Sequence, residues 1–126
     1  MDMHHLELDI GCYAAGVYHE ANTQSLQEKL GVINVIRNRL KSGRWGNDVC
    51  SVVYASGQFI GVTDESHKKI DKKTYLETQL LVLDVIRGKY TNPVANALYF
   101  HDDSIEPKHS WFGHKKIIHI GRMVFY

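Results

Sequence analysis

The sequence predicts an α+β domain in which a helical body comes first and a small antiparallel sheet last. Apolar residues recur at spacings of three and four through the first two thirds of the chain, whereas aromatic and β-branched residues gather in short runs after Pro93. No repeat, low-complexity tract or linker separates the two parts. A chain of 126 residues can bury one core, so residues 1–126 are expected to form a single domain.

Leu6, Ile10, Tyr13, Ala14 and Val17 mark the apolar stripe of a first helix reaching about His19. Ser25-x-x-Glu28 reads as a capping box opening a second helix. Its apolar face, Leu26, Leu30, Ile33 and Leu40, is widened by Val32, Val35 and Ile36, which implies burial on more than one side, and Ser42-Gly43 ends it. Val49 to Tyr54 is apolar but too short for its period to separate helix from strand. Gly57 to Gly61 is expected to be a loop. Asp71 to Arg87 carries Leu76, Leu80 and Leu83 with Val82, Val85 and Ile86 and stops at Gly88, which predicts a third long helix, also central. Asn96 to His101 and Ile117 to Tyr126 then read as two strands able to pair, leaving room for a cleft between sheet and helices.

Composition excludes several function classes. A net charge of +1 gives no global basic field for a nucleic acid, and Lys68-Lys69, Lys72-Lys73 and Lys115-Lys116 read as solvated faces. No apolar run reaches membrane-spanning length, and the opening residues lack the pattern of a secretion signal. Cys12 and Cys50 are too few to indicate an oxidised scaffold, and with Cys12 on the apolar face of the first helix they are expected to be free thiols. His101, His109, His114 and His119 lack the compact spacing of a zinc site, so no metal and no cofactor are expected. A monomer is expected.

The residue with most chemical promise is Glu20, where an apolar helix gives way to a polar turn. A carboxyl group there meets the negative end of the helix dipole and partial desolvation, both of which favour its neutral form. A general acid protonated near neutral pH needs those surroundings. By position alone, an ordinary surface carboxylate is the simpler reading.

Other parts of the chain change that balance. Tyr18-His19-Glu20-Ala21-Asn22, Val35-Ile36-Arg37-Asn38-Arg39, Val49-Cys50-Ser51-Val52-Val53-Tyr54, Gly57-Gln58-Phe59, Asn96-Ala97-Leu98-Tyr99-Phe100-His101 and Ile120-Gly121 with Val124-Phe125-Tyr126 follow one another in an order that resembles the spore cortex-lytic, SleB-type cell-wall hydrolases. The resemblance implies a lysozyme-like α+β fold, peptidoglycan glycan strands as substrate, and cleavage between N-acetylmuramic acid and N-acetylglucosamine by lytic transglycosylation. It also implies that Glu20 is the catalytic residue and that the protein acts at the bacterial cell wall, whether phage-borne, holin-released or as a trimmed exported domain. Asn22, Ile60 and Arg122-Met123 depart from the usual family pattern, which bears on substrate preference.

With that resemblance, Gln58 and Phe59 are expected to line the cleft, the amide toward an N-acetyl group and the ring over a sugar face; otherwise Phe59 plugs the core. Tyr99 and His101, two apart on a strand, either reach the cleft or are half-buried structural residues. Asn38 reads as a bridge between elements. Asp64-Glu65 and Asp102-Asp103 read as loop or cap charges, leaving Glu20 the one strong acid candidate. Lysozyme-type hydrolysis and a glycan-binding module without turnover are the alternatives.

Overall fold

The structure, a computed structural model, describes residues 3–21, 24–55, 71–104 and 115–126. Helix α1 spans Met3–Ala21, α2 Leu26–Ser42, α3 Val49–Tyr54 and α4 Lys72–Ile86. Strands β1 (Phe100–Asp102), β2 (Ile118–Ile120) and β3 (Met123–Phe125) complete the domain.

Local chemistry sets the helix ends. At α2 the predicted capping box is complete: Ser25 Oγ accepts from the Glu28 N–H at 3.2 Å, and Glu28 Oε1 accepts from the Ser25 N–H at 3.1 Å. Gly43 closes the helix at φ +74°, its N–H shared by the Arg39 and Leu40 carbonyls. Asp48 caps α3 by accepting from the Ser51 N–H at 2.8 Å, which decides the short apolar segment in favour of a helix. Asp71 does the same for α4 through the Thr74 N–H.

α1 packs against α2, α3 and α4. Ala15 and Val17 meet Leu30, Val32, Ile33, Val35 and Ile36 of α2 and Val52 and Val53 of α3 in one continuous core. The sheet, in the order β1-β3-β2 and antiparallel throughout, lies on α2. Phe125 on the central strand pairs with both Phe100 and Ile118, and its ring sits directly over Gly31. A β-carbon at position 31 would overlap that ring.

Three sequence expectations change. Ile117 to Tyr126 is a hairpin rather than one strand, because Gly121 at φ +57° turns the chain between β2 and β3. α4 buries Thr78, Val82 and Val85, while Leu76 and Leu80 are 56% and 53% exposed: the helix carries two apolar stripes, and the slimmer β-branched one faces the core. Cys12 and Cys50 are not free thiols. They form a disulfide between α1 and α3, whose packing holds the two Cα atoms 5.1 Å apart. Closing a loop of 38 residues restricts the unfolded chain, an effect on the order of 3–4 kcal/mol.

No helix among the described residues is long and apolar enough to cross a membrane. No group of three or more side chains suited to a metal ion lies together among them. His109 and His114 lie outside the described residues.

Candidate active site

Glu20 occupies the last turn of α1, with Gly16 and Val17 one turn earlier buried against Ile36 and Val53. This apolar floor leaves the carboxyl half-buried. It has no hydrogen-bond or ion-pair partner among the described residues. Burial alone raises its pKa from 4.5 to about 7, so near neutral pH much of it holds a proton. The ring of Tyr18 meets that of His19 edge-on at 5.4 Å beside it.

The Ala21 carbonyl at the end of α1 accepts from the Gln24 N–H at 3.0 Å, close to the start of α2. Glu28, in the first turn of α2, is only 4% exposed, yet its carboxylate is surrounded by donors. Oε1 accepts from the Ser25 N–H and hydroxyl, and Oε2 accepts from the Arg122 N–H at 3.2 Å. The second helix start thus fastens the β2–β3 turn. Gly121 is required there twice over, by its positive φ and because a β-carbon would collide with the Glu28 carboxylate. Asp103 extends the link, its N–H donating to the Arg122 carbonyl at 2.8 Å, and its carboxylate lies 3.2 Å from His119 Nε2.

The sheet therefore runs alongside α2, with Asp102, Asp103 and Arg122 at its Glu28 end. Asp102 is held ionised by the Ser104 hydroxyl and N–H, which lower its pKa, and stands 3.9 Å from Arg122. These acids are turn and cap residues, as their sequence context suggests.

Tyr99 belongs to the opposite end. Its ring packs edge-on to Trp45 at 5.8 Å, and the Arg39 guanidinium lies 4.1 Å from the Trp45 ring and 5.3 Å from that of Tyr99. Arg39 is 2% exposed and donates from Nε to the Leu98 carbonyl at 2.7 Å. Burial lowers its pKa to about 10, which still leaves it charged at neutral pH. Arg39 and Glu28 are eleven residues apart on one helix, a rise of about 16 Å, so Tyr99 lies at the other end of α2 from Glu28. His101 lies between those ends. Its Nδ1 faces the Asp102 carbonyl at 2.7 Å, which can only accept, so Nδ1 carries the proton and Nε2, 2.9 Å away, accepts from the Tyr126 hydroxyl. Gln58 and Phe59 lie outside the described residues, as do Asp64 and Glu65. Asn38 is the bridge expected of it, donating to the Ala95 and Ala97 carbonyls at 2.9 Å each.

A helical body with a three-stranded antiparallel sheet is matched by known proteins. The Cell Wall Hydrolase family profile matches residues 23–126. The chain belongs to the cell wall hydrolase family. The crystal structure of the catalytic domain of the Bacillus cereus SleB protein superposes with a TM-score of 0.78 at 28% identity, covering 94% of this chain and 89% of that one. The catalytic domain of the germination-specific lytic transglycosylase SleB from Bacillus anthracis gives a TM-score of 0.76 at 28% identity, covering 93% and 92%. No curated protein matches the chain. The fold is thus the lysozyme-like fold of the SleB catalytic domain, and the protein is an enzyme acting on peptidoglycan.

Proposed function

We propose that this cell wall hydrolase cleaves the glycan strand between N-acetylmuramic acid and N-acetylglucosamine as a lytic transglycosylase, with Glu20 as general acid and then base. The observation that carries the reading is the half-buried Glu20 carboxyl, its pKa raised to about 7 by burial and without a partner among the described residues. The description of the Bacillus anthracis relative as a lytic transglycosylase supports it.

In the first step Glu20 gives its proton to the bridging oxygen as the bond from that oxygen to C1 of the muramic acid breaks, and positive charge develops at C1. The carboxylate so formed takes the proton of the C6 hydroxyl, and O6 closes on C1. Glu20 ends protonated, ready for another strand, and no water is consumed. Where no second carboxylate positions a water, the intramolecular hydroxyl is the better nucleophile, because its effective molarity is far higher. The product would be 1,6-anhydro-muramic acid.

Borohydride labelling of digested peptidoglycan followed by mass spectrometry tests this. Fragments that resist reduction and weigh one water less than hydrolysed ones are expected. Reducible muramic acid ends would mean lysozyme-type hydrolysis with a second acid, and no released fragments would mean a binding module.

A further inference from the structure

Between α1, the second half of α2 and the turn at Asn92 lies a cavity of about 410 Å³ that the proposed chemistry does not use. It is lined by Tyr13, Asn34, Arg37, Asn38, Lys41 and Asn92, with no carboxylate among its lining residues. Arg37 and Lys41 are one helical turn apart on α2, on the same stripe as Asn34 and Asn38. Neither cation has an ion-pair partner among the described residues. Tyr13 is only 5% exposed, yet its hydroxyl has no hydrogen-bond partner among them.

Such a phenol normally finds an acceptor when buried. Its hydroxyl stays a donor, since burial lifts its pKa to about 12. Asp9, one turn earlier on α1, bears on the same phenol but does not line the cavity. Asn92 has both ends engaged, with Val94 and Ala95, while Asn34 and Asn38 donate to backbone carbonyls and keep only neutral amide oxygens, which cannot balance two cations. What the cavity lacks is an oxyanion.

The geometry points to this cavity as a subsite for a carboxylate on the stem peptide of peptidoglycan, held by Arg37, Lys41 and the Tyr13 hydroxyl while the strand lies at Glu20. This rests on the reading of Glu20 as the cleavage site. Tyr13 and Glu20 are seven residues apart, on one face of α1 and about 10 Å along it. An extended peptide of four residues spans roughly 13 Å. An arm attached to a sugar at Glu20 is therefore long enough to reach the cavity at Tyr13. On a strand without the peptide the one carboxylate is that of the lactyl group, attached directly to the sugar at Glu20 and too short to span the distance to Tyr13.

The test is calorimetric binding of a muramyl disaccharide with its stem peptide, and of the same disaccharide without it, to the wild type and to Glu20→Gln, Arg37→Ala/Lys41→Ala and Tyr13→Phe. Tighter binding of the peptide-bearing form is expected. The double variant should lose on the order of tenfold of that affinity and Tyr13→Phe a smaller share, with binding of the bare disaccharide unchanged. Glu20→Gln should bind as the wild type does, so a failed activity reading would show in turnover and not here. Equal binding of both disaccharides, or a peptide preference that survives the double variant, would overturn the assignment. So would full competition by millimolar inorganic phosphate, which would mark an oxyanion site without peptide specificity.

Discussion

Glu20 and Glu28 stand eight residues apart at one corner of the molecule, both removed from full solvent, and their surroundings are opposite. Glu28 is the more buried, but three donors from Ser25 and Arg122 converge on it and it holds the sheet to α2. Glu20 has apolar neighbours, no donor among the described residues, and a pKa raised to about 7. The difference teaches that burial alone does not mark a functional carboxyl. A buried acid with its lone pairs satisfied is a structural tie, whereas one left unsatisfied is unstable as an anion and is kept in that state only where the neutral acid has work to do. Arg39, buried between two aromatic rings and bonded to the Leu98 carbonyl, falls on the structural side with Glu28.

The comparison breaks first at Glu20→Gln. Turnover of purified peptidoglycan should drop by roughly a thousandfold or more, since one group serves both proton transfers. Stability should move the other way. Between pH 4.5 and about 7 the folded protein keeps a proton on Glu20 that the unfolded chain has released, so the wild type loses stability as pH rises through that window and remains at the lower value above it. At pH 8 the variant should therefore be more stable, by up to about 3 kcal/mol, and the gain should vanish near pH 4. Thermal melts at the two pH values read this directly, and a variant destabilised at pH 8 would place Glu20 with the structural acids.

Glu28→Ala should behave in the reverse sense. It leaves the Ser25 and Arg122 donors without their acceptor and removes the capping box, a loss of about 2–3 kcal/mol in denaturant unfolding. At temperatures where the variant is folded, turnover should stay within an order of magnitude of the wild type. A collapse of turnover without loss of stability would move Glu28 into the chemistry. The smallest effect is expected at Tyr99→Phe, which keeps the ring against Trp45 at the far end of α2 and should change kcat/KM by less than about threefold. A larger fall at unchanged stability would bring Tyr99 back to the substrate.

Much of this was legible in the sequence, because the deciding signals are local. The capping box at Ser25 and Glu28, the stop at Gly43 and the exit of the first helix into a polar turn at Glu20 each depend on residues within a few positions. What the sequence hides are relations between distant segments. That Glu28 also binds the Arg122 N–H, that Tyr99 belongs to Arg39 and Trp45, and that Cys12 meets Cys50 all follow from how α1, α2, α3 and the sheet pack. The leucines of α4 misled for a related reason: the helix has two apolar stripes, and only the shape of α1 selects between them. Gly121 was visible within an apolar run, and read as a turn signal it would have divided the last strand into its hairpin.

The most direct test of the central claim is the titration of the Glu20 carboxyl itself, followed by its carbon-13 chemical shift in protein labelled at glutamate and assigned by comparison with Glu20→Gln. A midpoint near pH 7 is predicted from its burial. A midpoint near the ordinary 4.5 would mean that the carboxylate is solvated or paired at neutral pH, and Glu20 would then lack the property that singles it out from the other acids of the chain.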